Sequence, residues 1–170
     1  VTDTRGATAQ GSFTVTVNNV TTPGEMHGEG DLRDDDAKYE FEFMARETAR
    51  GDERARISIH IDEDGRKKGK KKRNDRFDSR TVDFIAFSDD PTIRPGRPAR
   101  PQIDTVTFSG VGDWNGQRNY RYDVFAQDGG EGRNHHESIS VKIYSPTGAL
   151  VATFQGDVED GNIQSIRIHR

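Results

Sequence analysis

The chain has 170 residues, 30% of them apolar and 32% charged, with a formal net charge of -4 and no cysteine. That length fits one ordinary domain, or a domain plus a fragment, and so thin an apolar share needs a core built from short, well-patterned segments. The lack of cysteine excludes disulfides, thiolate zinc sites and a cysteine nucleophile, and no apolar run is long enough to span a bilayer, so no membrane insertion is expected.

The chain opens on Val1 rather than Met, which reads as a piece of a longer precursor. Residues 1–22 differ in composition from the rest of the chain and divide it into 1–22 and 23–170. Within "VTDTRGATAQGSFTVTVNNVTTPG", an Asp-turn, a Gly, the alternating "FTVTVNN" and a Thr-Thr-Pro linker succeed one another. This resembles the last hairpin of a HYR- or PKD-type immunoglobulin-like repeat of bacterial surface proteins. The resemblance implies that the chain begins inside such a repeat and passes into a different domain. A lone strand with Phe13, Val15 and Val17 on one face is not stable by itself. It is expected to dock on a sheet edge, to pair with another copy in a strand-swapped oligomer, or to stay disordered in a monomer.

Period-two alternation dominates residues 23–170. Tyr39–Phe43 and Ile57–Ile61 read as half-buried strands, and Val82–Phe87, Ile103–Phe108, Tyr120–Phe125, Ile139–Tyr144, Leu150–Phe154 and Ile163–Ile168 behave similarly. Glu47–Arg56 holds Gly51 and no apolar stripe, so it reads as a hairpin connection. Residues 61–82 read as a long connection, and the four prolines Pro91, Pro95, Pro98 and Pro101 as an extended crossover. These elements predict an all-β fold, an antiparallel β-sandwich of immunoglobulin-like or jelly-roll-like type.

The order "GEGDL", "YEFEFMA", "VTFSGVGDWNGQRNYRYDVFAQDGGEG", "ESISVKIYSPTGAL" and "GNIQ" resembles a post-COAP-type all-β domain that closes many bacterial extracellular proteins. The turn Asp128-Gly129-Gly130-Glu131-Gly132 lacks that pattern's proline, and Glu137 stands where its Asp is expected. The resemblance implies an extracellular or cell-surface location and a fold rather than a reaction.

Several clusters could carry chemistry. Asp128, Glu131, Asn134 and Glu137 place oxygen ligands in one Gly-rich turn, the kind of loop that wraps calcium, while an Asx-stabilised surface turn is the competing reading. Asp62-Glu63-Asp64-Gly65 starts like a calcium loop but runs into Arg66, Lys67 and Lys68. Adjacent His135 and His136 point to opposite faces of any strand and do not share a zinc ion readily. Trp114, Asn115, Tyr120 and Tyr122 supply the residue types of a carbohydrate-binding platform; equally, "DWNG" reads as a tight turn with the tryptophan as a core anchor. Seven cations fill Arg66–Arg73, and Lys67, Lys68, Lys70, Lys71 and Lys72 could neutralise a polyanion, or form the hydrated tip of a hairpin. No nucleophile elbow, zinc-protease helix or phosphate loop is present, so no enzyme is expected.

The expectation is therefore a non-catalytic structural or adhesive module of a bacterial surface or secreted protein, with calcium stiffening one loop. Its partners would be the neighbouring immunoglobulin-like repeats and a cell-surface glycan or polyanion. A carbohydrate-binding module is the first alternative. A hydrolase using a carboxylate pair is the second.

Overall fold

The computed structural model describes residues 22–33, 37–63, 73–93, 103–130 and 136–166. Alternating side chains produce nine strands and no helix among them: β1 (Gly24–Arg33), β2 (Ala37–Glu47), β3 (Glu53–Glu63), β4 (Arg73–Ser88), β5 (Thr105–Trp114), β6 (Gln117–Gln127), β7 (Ser138–Tyr144), β8 (Leu150–Asp157) and β9 (Asp160–Ile166). All neighbouring pairs are antiparallel, in the order β8-β7-β6-β5-β4-β3-β2-β1-β9. The fold is thus all-β, a meander in its connections and sandwich-like in packing the inner side of one curled sheet over a shared core.

Two elements depart from the pattern read in the sequence. β1 shows no apolar alternation because two of its inward positions are glycines: a Cβ on Gly24 would meet the Phe87 ring, and one on Gly28 the Phe43 ring. The space is filled by side chains from other strands. β4 begins at Arg73 rather than near Val82, so the expected connection over 61–82 shrinks to residues 64–72. Its first half offers one strong apolar signal, Phe77, which is fully buried. The expected connection over Glu47–Arg56 likewise contracts to Thr48–Asp52, where Thr48 Oγ1 accepts the Asp52 N–H at 3.1 Å and Gly51 takes φ +81°.

The sheet bends at β4. Residues 73–78 of β4 pair with β3, and residues 77–88 pair with β5 through two register shifts, at Ser79/Thr81 and Val82/Phe84, so only Phe77 and Asp78 are paired on both sides. Such bulges add local twist and turn a strand from one layer to the other. Ser79 Oγ accepts the Ile57 N–H at 2.7 Å where β3 and β4 separate.

The two ends of the sheet order, β8 and β9, are consecutive in sequence. Val158 donates its N–H to the Glu137 carbonyl beside β7, and the next residue, Glu159, donates to Asp31 of β1, both at 2.9 Å. Successive residues of a strand offer their N–H groups to opposite edges. The two-residue link between β8 and β9 is therefore bonded to β7 on one side and to β1 on the other, and brings the two ends of the curled sheet together there. The acidic stretch Asp157–Asp160 is this seam.

The core is aromatic. Phe43 of β2 meets Phe108 of β5 (centroids 5.7 Å apart), Phe108 meets Tyr122 of β6 (6.0 Å), and Tyr122 meets Phe77 of β4 (5.5 Å), the last two edge-on. Such pairs add about 0.5–1.5 kcal/mol each beyond the area they bury. Tyr39 of β2 stacks on Phe154 of β8 at 4.8 Å and ties the otherwise exposed β8 to the core.

Candidate functional site

The hairpin holding the expected sugar platform is built around Asn115-Gly116. Both take positive φ, +50° and +78°, as a two-residue turn demands, and Trp114 pairs directly with Gln117. Asn115 Nδ2 donates to Asp75 Oδ1 at 2.8 Å, while its Oδ1 accepts the Arg76 N–H at 2.9 Å, fixing the turn to β4. Trp114 is 6% exposed and stacks on Tyr120 at 6.5 Å; Tyr122 is fully buried, and its hydroxyl donates to the Thr81 carbonyl. Burial holds the Tyr122 phenol well above its ordinary range. Of the four candidate residues, Asn115 is exposed and Tyr120 half-buried, while Trp114 and Tyr122 offer no ring face to solvent. The tryptophan is a core anchor.

Asp128 and Glu137, from the candidate calcium set, flank the β6–β7 connection and converge on the last strand. Asp128 Oδ2 accepts the Ser165 N–H at 2.7 Å, and Glu137 Oε2 accepts the Ile163 N–H at 2.5 Å. Asp128 Oδ1 accepts the Gly130 N–H at 2.8 Å, the Asx turn weighed in the sequence. β7 does not run alongside β9, so two carboxylates complete the ladder that a strand would otherwise supply. Burial raises the Glu137 carboxyl above its ordinary value; the Ile163 N–H lowers it and the nearby Asp128 charge raises it further. Glu131 and Asn134 lie outside the described residues. Among the described residues no group of three or more His, Asp or Glu is placed to hold a metal ion. No sequence signal marks this seam, because its partners lie 26 and 37 residues apart.

The candidate polyanion residues Lys67, Lys68, Lys70, Lys71 and Lys72 lie outside the described residues. Glu63 and Arg73, which flank them, are paired, so the run is the connection of the β3–β4 hairpin.

The outer face of β9-β1-β2-β3 is charged and polar. A shallow depression of about 290 Å³, bordered by His27, Glu29, Glu42, Arg56 and Asn162, adjoins one of about 310 Å³ over Ser58, Arg76 and Asp78; Glu42 and Arg56 border both. Asp78 receives Arg76 Nε at 2.7 Å and the Ser58 hydroxyl at 2.9 Å, and the Arg76 guanidinium holds its carboxyl below the ordinary value. On β4 and β5, Arg80 Nε donates to Asp113 Oδ1 at 2.6 Å and lowers that carboxyl in the same way. These surfaces offer hydrogen bonds and paired charge, with Phe43 and Met44 lining the first depression and Ile57 the second.

In comparisons with known proteins, no family model, no curated protein and no solved structure gives a significant match.

Proposed function

We propose that the chain is a non-catalytic structural or adhesive module of a bacterial surface or secreted protein, positioned after immunoglobulin-like repeats outside the cell. The observation that supports this reading is the pairing of β1 with β9, the first and last strands among the described residues: Glu25 stands opposite Ile166. The chain thus arrives and departs at one end of the fold. The alternating strand directions put four connections at the opposite end: Arg33–Ala37, Glu63–Arg73, Trp114–Gln117 and Tyr144–Leu150. A curled sheet held at one end is suited to presenting hairpins to a partner at the other.

Because the lysine run belongs to the Glu63–Arg73 connection, the partner chemistry this end fits is a phosphate- or sulfate-bearing polymer of a cell surface. Binding of that kind weakens steeply with salt as counterions are released. The test is elution of the 170-residue chain from immobilised heparin, beside a variant with Lys67, Lys68, Lys70, Lys71 and Lys72 replaced by serine. The native chain should elute at distinctly higher salt. Flow-through of the native chain at low ionic strength, or identical elution of the two, would overturn the reading.

A further inference from the structure

Among the described residues, β8 pairs on one side only, with β7, and its other side is an open edge of the sheet. The bond from the Val158 N–H to the Glu137 carbonyl, with the β7–β8 register, directs the backbone groups of Ala152, Phe154 and Gly156 toward β7. Those of Thr153 and Gln155 point the other way, into solvent. Leu150 and Val151 beside them are 54% and 38% exposed, and no charge occurs between Leu150 and Gly156.

Open edges elsewhere carry protections. Where β3 and β4 part, the edge of β3 left unpaired bears Glu53, Arg54 and Arg56, and the stretch of β4 whose other edge is left unpaired has two bulges and Asp83. Along β9, the carboxylates of Asp128 and Glu137 occupy the edge. Charges, bulges and covering groups are the devices that stop strands adding to a sheet; β8 has one register shift at its start, at Val151, and from Ala152 to Gly156 none of these devices among the described residues.

We propose that β8 pairs edge to edge, antiparallel, with β8 of a second copy of this chain. A two-fold axis at Phe154 sets Thr153 opposite Gln155 of the other copy, so the outward N–H and C=O groups of each bond to the other. That register keeps inward residues inward across the junction, with Phe154 and Ala152 on the core side and Thr153 and Gln155 on the outer side. It places no like charges opposite each other. The sheet then runs continuously through both copies, and each copy keeps its far hairpins free.

Thr153→Pro tests the pairing selectively, because the N–H it removes points away from β7 and the existing ladder loses no bond. Sedimentation equilibrium of the 170-residue chain over a concentration series should give a species of twice 19.0 kDa at high concentration, and Thr153→Pro should stay at 19.0 kDa. Hydrogen exchange on the unmodified chain provides a reading without mutation: the amides of Thr153 and Gln155 should exchange more slowly as concentration rises, while that of Phe154 is protected throughout. A chain that stays monomeric at all concentrations would overturn the proposal. So would a dimer that persists in Thr153→Pro, which would assign association to residues 1–21 or another surface, or one in which the Thr153 and Gln155 amides exchange at their monomer rates.

Discussion

The Glu137 carboxylate accepts the backbone N–H of Ile163, 26 residues away, and stands in for a neighbouring strand along the outer edge of β9. Ile163 itself is 1% exposed, so this N–H has little access to water once its acceptor is gone. Replacing Glu137 by Ala should destabilise the fold by about 1–3 kcal/mol, the cost of an unsatisfied part-buried donor. Glu137→Gln retains an acceptor oxygen and should cost less. Urea unfolding of the three proteins checks the order, and equal stability of Glu137→Ala and the native chain would show that the contact is not made in solution.

The carboxyls of Glu137 and Asp104 are raised chiefly by burial, whereas those of Asp78 and Asp113 are lowered chiefly by hydrogen bonds from Arg76 and Arg80. A raised carboxyl binds its proton more tightly in the folded state, so its charge costs stability at neutral pH and that cost is relieved as pH falls through the folded value. A lowered carboxyl contributes stability that is complete above the ordinary value of 3.8 and is lost as pH drops through its folded value. Relative to Glu137→Gln, the native chain should therefore gain stability between pH 7 and 4.5, the ordinary glutamate value. Below pH 3.8 the native chain should lose stability, and Asp78→Asn should lessen that loss. Unfolding free energies measured across this range decide both signs.

Calcium should leave the melting temperature unchanged relative to excess chelator. Both Asp128 oxygens are engaged with backbone N–H groups, and Glu137 commits one oxygen to β9. A ligand bound only by the folded state must raise stability by mass action. A rise of several degrees in calcium that Asp128→Ala abolishes would instead establish the calcium-stiffened loop expected from the sequence.

Trp114→Ala should lower stability by about 3–5 kcal/mol, the usual cost of emptying an aromatic core position. Any accompanying loss of glycan retention would then track unfolding, as thermal melts of the same samples would show. An unchanged melting temperature would contradict the core role.

Two glycines should separate backbone strain from crowding. At Gly116 an added Cβ meets nothing within 4 Å, but φ is +78°, so Gly116→Ala should cost about 1–2 kcal/mol through strain alone. At Gly110 the Cβ would collide with the Thr81 carbonyl and approach the Tyr122 hydroxyl. Gly110→Ala should therefore be the more damaging, and chemical denaturation of the pair settles the order.

Where one face of a strand is buried and the other wet, the sequence alone determined the outcome. Tyr39–Phe43, Ile57–Ile61 and Ile139–Tyr144 alternate because the pleat alternates, and Asn115-Gly116 announced its turn through the positive φ both residues tolerate. Tertiary structure alone decided what depends on distant partners. Gly24 and Gly28 look like breaks until Phe87 and Phe43 fill the space above them, and Phe77 gives β4 too little apolar signal to show its first half. The seam is the clearest case. Asp128 and Glu137 have the composition of a metal loop, yet bringing the ends of the sheet together sets unpaired backbone N–H groups of β9 within their reach, and a carboxylate bonds whichever donor the fold places beside it.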